Sequence, residues 1–296
     1  MENQYIQFKK QREIGEIISD TFKFLRENYK LLFSLIFKIA GPAFLILLLC
    51  VGYYLFLTFG FFEKIEKSPN FLFSNNFFTP QIFLAAIVML VSLLIYSSLL
   101  YGTVLYFIKS YIENNGVVDE TEVKYGVRNL VWELIGTSVI ISIMVFFGLL
   151  LCFFPGIYLM VPLSLAFSII VFDKLSIIDA ISHCFKLIQG NWWVTFAALL
   201  VMWLLIYIIG IIFSLPALFY SLIKGFTMAQ EISAAKPSEI FDWIYLALNL
   251  LSTLAQYLLY TIMVIATAFI YFNLNEKKNF TGTYENIENL GKGNDF

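Results

Sequence analysis

Long, nearly uncharged apolar runs alternate along the chain with short stretches in which charged and apolar residues interleave. The runs occupy about residues 31–62, 81–112, 131–154, 157–173, 194–223 and 240–273. A bilayer core about 30 Å thick takes about 20 mostly apolar residues in helix, so each run reads as a membrane span, six in all. The fourth is the shortest: at about 1.5 Å per residue it covers only about 25 Å. It follows Pro155-Gly156, a turn dipeptide, so the third and fourth runs are expected to form a tight hairpin, with a re-entrant pair as the competing reading. β-barrel strands are excluded, because the runs are too long and too continuously apolar.

The interleaved stretches predict three amphipathic elbow helices. Residues 13–30 put Ile14, Ile18, Phe22, Leu25 and Tyr29 on one stripe, with Glu16, Asp20, Lys23, Arg26 and Glu27 elsewhere. In residues 119–130 the stripe is Val123, Val127 and Leu130, and Asp119 with Glu122 has capping-box spacing. Residues 176–190 place Ile177, Ile181, Cys184 and Ile188 inward, with Ser176 and Asp179 as the start signal. Each is too short and polar to span, so each is expected to lie among lipid headgroups before turning into a span.

An offset of 163 aligns Phe22 with Phe185, Lys23 with Lys186, Asn28 with Asn191, Tyr29 with Trp192 and Phe33 with Phe196. The middle elbow keeps Lys124 and Asn129 at the same spacing. The chain therefore parses into a tail (1–12), one membrane domain (13–274) and a second tail (275–296). The domain divides into repeat units 13–113, 117–173 and 176–274, each an elbow plus two spans. The recurring Lys-x4-Asn reads as a snorkelling Lys and an Asn that ends the elbow in left-handed conformation.

Composition narrows the class. Of the 296 residues, 60% are hydrophobic and only 14% charged, with mean hydropathy +0.81. A water-soluble domain carries about 25% charged residues, so a soluble globule is excluded. A net charge of −2 gives no basic field for nucleic acid. Lys and Arg divide 15 to 4 between alternate faces of the predicted spans, the minority being Lys64, Lys67, Lys224 and Lys236. The positive-inside rule then puts both termini in the cytoplasm. Tyr53, Tyr54, Trp192, Trp193, Trp243, Tyr271 and Phe272 fall near run ends, where aromatic rings favour the interface. The charged start opens no secretory signal, so the first span is expected to stay in the mature protein.

Catalytic chemistry finds little footing. His183 is the sole histidine, and Cys50, Cys152 and Cys184 lack CxxC spacing, so no cofactor or metal site is expected. Nucleophile, zinc-protease and phosphate-loop motifs are absent from the sequence. Lys38 is expected to snorkel and Glu133 to stay in the interface. Asn249, Ser252, Thr253 and Gln256 recur on one side of the sixth span, as interhelical hydrogen-bonding groups or as a polar lining. Pro42, Pro162 and Pro216 each interrupt a span. The Asn279-Phe280-Thr281 sequon falls on the cytoplasmic side and is set aside.

The stretch Phe154-Pro155-Gly156-Ile157-Tyr158-Leu159, then Ser164-Leu165-Ala166, Ser176 to Ile181 and Phe185-Lys186-Leu187 resembles a bacterial membrane family. It is the membrane domain found beside some glycerophosphodiester phosphodiesterases, with its stand-alone YciC-like relatives. Gly15 to Phe22 and Ala268 to Phe272 fit the same pattern, so the resemblance covers about residues 13–290. In fused relatives a catalytic barrel follows the membrane part; with 22 residues after Leu274, that activity is not expected here. The resemblance implies a multi-pass membrane protein of undefined role; with the catalytic motifs missing, the chain is expected to be an inner-membrane protein without a catalytic centre, organising lipid or a membrane partner, a homo-oligomer included. Lys23, Arg26, Lys30, Lys124, Arg128 and Lys186 are its candidate headgroup contacts. The rival reading is a small-molecule permease or exporter that uses the kinked spans and the polar face of the sixth.

Overall fold

The computed structural model describes residues 5–67, 80–151, 153–230 and 242–292, which are helical nearly throughout and contain no strand. Ten helices follow in order: α1 (Ile14–Ile39), α2 (Gly41–Lys67), α3 (Pro80–Glu113), α4 (Glu120–Leu151), α5 (Phe153–Leu163), α6 (Ala166–Asp173), α7 (Ile177–Ile188), α8 (Trp192–Gln230), α9 (Trp243–Asn279) and α10 (Thr281–Lys292). Six helical stretches are long and apolar enough to cross a membrane: Gly41–Phe61, Pro80–Glu113, Glu120–Leu151, Phe153–Asp173, Trp192–Thr227 and Trp243–Asn279. The chain is an all-α, multi-pass membrane protein.

Helix boundaries follow from local chemistry. Pro42 has no N–H for the Lys38 carbonyl, so α1 closes with Ala40 N–H bonded to Ile36 O at 2.8 Å and α2 begins afresh. The first span thus starts at Gly41, and α1 runs to Ile39 as one amphipathic helix. The second elbow is not a separate helix: residues 120–130 continue unbroken into their span as α4. Its start is capped by Asp119, whose Oδ1 accepts from the Thr121 amide at 2.8 Å, but the expected box with Glu122 does not close: the Asp119 amide donates to Ser110 Oγ at 3.0 Å, and Ser110 Oγ donates to Glu122 Oε2. The third elbow is the discrete helix α7, where Ser176 Oγ accepts from Asp179 N–H.

Two units emerge, and each is described by itself. Unit 1 comprises the described residues within Met1–Ala40, Ser97–Leu205 and Thr261–Phe296. Its core centres on Phe8, which stacks on Phe269 at 4.3 Å and meets Phe24 and Phe272 edge-on. Unit 2 comprises the described residues within Gly41–Tyr96 and Ile206–Tyr260, with Phe44 stacked on Tyr96 at 5.0 Å. Stretches of α3, α8 and α9 belong to each unit, whereas α4, α5, α6 and α7 lie wholly within unit 1.

Several expectations change here. Besides the predicted stripe, α1 carries a second apolar face, Ile17, Phe24, Leu32 and Leu35 with Thr21, and this is the face enclosed by protein. Pro155 and Gly156 are not a turn: both lie inside α5, where a first-turn proline lacks only a donor the helix would leave unpaired. A Cβ on Gly148 would come within 3.1 Å of Gly156 Cα, so these two glycines let α4 and α5 touch. Asn28 and Asn129 do not end helices, since α1 and α4 run on through them; Asn28 Nδ2 donates to Phe24 O at 3.0 Å. Left-handed backbone falls instead at Asn115, Gly116, Lys174, Gly190 and Phe280. Tyr271 and Phe272 are enclosed in unit 1, whereas Trp193 and Trp243 are exposed.

The first segment and the end of the chain are more than tails. Residues 5–13 strap across unit 1, and Arg12 N–H donates to Asn273 Oδ1 at 2.8 Å. Beyond Phe280, helix α10 is tied back by the Glu276 carboxylate, which accepts from Gly282 N–H at 2.7 Å and Thr283 N–H at 3.0 Å.

Candidate functional site

Helix α1 carries the densest group of headgroup candidates. At about 100° per residue, Lys23, Arg26 and Lys30 fall within about 60° of one another. On one side they adjoin the exposed or half-buried apolar stripe of Ile14, Ile18, Phe22, Leu25 and Tyr29; on the other come Glu16, Asp20 and Glu27. The helix therefore shows four sectors: a face packed on protein, an outward apolar stripe, a basic border and an acidic edge. A groove of about 480 Å³ runs along the outward side, lined by Phe22, Leu25, Tyr29 and Phe33 with Lys23 and Arg26. Neither Lys23 nor Arg26 makes an ion pair among the described residues.

The other basic candidates sit differently. Lys124 and Arg128 share an exposed side of α4 with Tyr125 and Trp132. Lys124 lies 3.4 Å from Glu120, which also takes Lys38 at 3.0 Å. Lys38, expected to snorkel, thus ties the end of α1 to the start of α4. Lys186 is exposed on α7, and its carbonyl accepts from Lys278 Nζ at 2.7 Å. Only Lys23 and Arg26 come together around a groove.

The polar face of α9 satisfies itself. Asn249 Nδ2 donates to Tyr245 O at 2.9 Å, Thr253 Oγ1 donates to Asn249 O at 2.8 Å, and Gln256 Nε2 donates to Ser252 Oγ at 3.4 Å. Each bond closes within the helix, one turn back. The four side chains are not held out as free ligands.

Elsewhere the titratable groups serve the fold. Arg12 is enclosed, its Nε donating to Asp20 Oδ2 at 2.8 Å and its Nη1 to Phe8 O at 2.7 Å. Burial lowers the Arg12 pKa from its ordinary value, and Asp20 opposes that shift. Burial pushes the Cys184 thiol up to about 12, which makes it an inert packing group. Among the described residues, no three His, Cys, Asp or Glu side chains gather as a metal site would require. Cys152 and Lys236 lie outside the described residues.

Sequence reasoning missed the strap and one pairing near the chain's middle. Pro162 has no N–H for the Tyr158 carbonyl, and that carbonyl accepts instead from Trp192 Nε1 at 3.4 Å while the two rings stack at 5.6 Å. Proline at position 162 was the available signal for a freed acceptor at 158; nothing in the pattern named its partner. Comparison with family models, with curated proteins and with solved structures finds no match to this chain.

Proposed function

We propose that this multi-pass membrane protein is a non-enzymatic component of a cell membrane that organises anionic lipid, with both termini in the cytoplasm. The observation that carries the reading is the sector order on α1. An outward apolar stripe bordered by Lys23, Arg26 and Lys30, with acids beyond, matches a helix lying along the acyl–headgroup boundary. Phosphate at Lys23 and Arg26 and an acyl chain along Phe22, Leu25 and Phe33 would fill the groove with complementary chemistry. Basic residues near an anionic surface gain about 1 kcal/mol each. Tyr125 and Trp132 beside Lys124 and Arg128 support a second contact of the same kind. The bacterial inner membrane is the location that the resemblance to the YciC-like family would assign.

Lipid retained through purification provides the test. The wild type is expected to keep anionic phospholipid in excess over the surrounding membrane, and a Lys23→Ala/Arg26→Ala variant to lose that excess. Equal lipid profiles from the two proteins would refute the reading. Solute flux by the wild type that Asn249→Leu/Gln256→Leu abolishes would favour a permease instead.

A further inference from the structure

Within unit 2, a groove of about 330 Å³ runs between α2 and α9, its lining including Leu48, Gly52, Tyr53, Phe56, Trp243 and Leu250. Gly52 keeps it open. A Cβ there would already stand 3.6 Å from Leu250 Cδ1, so a longer side chain would fill the space between the two helices. Phe56 closes one end by stacking on Trp243 at 6.2 Å.

Both walls belong to stretches that can cross a membrane, so the groove faces hydrocarbon rather than water. From Leu48 to Phe56 α2 rises about 12 Å, and spread over that length the volume is a channel about 6 Å across. A helix with its side chains is about 10–12 Å wide and cannot lie in such a channel, whereas a single hydrocarbon chain can. Left empty, the channel would forfeit dispersion contacts along both walls, and those walls give water too few polar partners to stay.

The closed end carries two opposite charges. Asp242, just before Trp243, accepts from the Ile244 and Tyr245 amides at 3.1 and 3.0 Å and from the Tyr220 hydroxyl. Lys224 Nζ lies 3.1 Å from Asp242 Oδ2, and the two side chains remain 38% and 31% exposed. Lys224 therefore keeps N–H groups for a phosphate. The Asp242 oxygens are already taken, so this residue contributes negative charge rather than a further hydrogen bond. Such a rim has no net charge. It complements a headgroup that carries phosphate and ammonium together, and lacks the net attraction that Lys23 and Arg26 offer an anion.

We propose that the α2–α9 groove holds one acyl chain of a zwitterionic phospholipid, with the phosphate at Lys224 and the ammonium beside Asp242. No residue of α1 takes part, so this site goes beyond the headgroup reading of α1 and stands independently of it.

The test adds phosphatidylethanolamine or phosphatidylglycerol to the delipidated full-length protein in mild detergent and counts bound lipids by native mass spectrometry. The wild type is expected to bind one more ethanolamine lipid than Gly52→Leu, whose side chain fills the groove, with at least about tenfold weaker binding at that site in the variant. Binding of the glycerol lipid should be equal in the two proteins. Leucine is a better helix former than glycine, so the substitution spares the helix, and Gly52→Ala should fall between. A second measurement uses the wild type alone: ethanolamine lipid with brominated chains should quench Trp243, read as the difference from Trp243→Phe, more than the brominated glycerol lipid does. Equal binding of the ethanolamine lipid by wild type and Gly52→Leu would overturn the proposal, as would equal quenching by the two lipids. A wild-type dimer that Gly52→Leu dissociates would overturn it in favour of a second copy seated on the groove.

Discussion

In unit 1 the guanidinium of Arg12 is enclosed and donates to the Asp20 carboxylate and to the carbonyls of Gln7, Phe8 and Lys10, beneath a stacked Phe8–Phe269 pair. In unit 2 the buried Tyr96 has one long bond among the described residues, its hydroxyl donating to Tyr257 O at 3.4 Å, and few residues of α2 or of the unit 2 stretch of α8 are buried. Around Arg12, unit 1 holds a hydrogen-bonded polar network beside an aromatic core. Unit 2 encloses little and depends on lipid to cover the rest. The same chain therefore combines two stabilising strategies, and substitutions should expose them separately.

The sharpest break is expected at Arg12. Removing the buried guanidinium leaves three carbonyls without their donor and Asp20 with only Lys10, at 3.9 Å, so Arg12→Ala should cost about 3–5 kcal/mol. Thermal unfolding in mild detergent, followed by release of the Cys184 thiol, would record it. A Tm equal to that of the wild type would mean that the strap carries no load.

A smaller effect is expected at the start of α9 in unit 2. Burial pushes the Asp242 carboxyl up, but hydrogen bonds from Tyr220, the Tyr245 amide and Lys224 outweigh it and hold the group at about 2. A folded pKa below the ordinary 3.8 stabilises the fold above that value, and the contribution is lost as pH falls toward about 2. Trp243 fluorescence should report loosening in that window, and Asp242→Asn should remove the acid step. An unchanged acid profile in the variant would assign the step elsewhere.

The least effect belongs to Tyr96→Phe, which removes one weak bond and no packing. It should cost about 0.5–1 kcal/mol, measured by the same unfolding assay. A loss as large as that of Arg12→Ala would erase the contrast between the units.

Helix class and spans were legible because long apolar runs leave few alternatives, and the Asp119 and Ser176 caps because their side chains act on neighbouring amides. The strap was not, since Ile6 and Phe8 are isolated apolar residues in a polar stretch, and periodicity needs a run. The second apolar face of α1, the one that meets protein, went unread, because two apolar faces lie about 90° apart on it and periodicity alone cannot say which meets protein and which meets lipid. For the candidate site, residue types were readable but their gathering was not: Lys23 and Arg26 share a groove, whereas Lys186 stands apart. Pro155-Gly156 misled because the same dipeptide suits a helix start with a close neighbour as well as it suits a turn.

The bond from Arg12 to Asn273 joins positions 261 residues apart. At about 5–20 residues per second, a ribosome needs roughly 13–50 s to travel between them. Throughout that interval Phe8 has no Phe269 to stack on, and the strap waits unpaired while every later helix is inserted. Unit 1 is therefore sealed by its earliest and latest segments together, and its maturation must follow synthesis rather than accompany it.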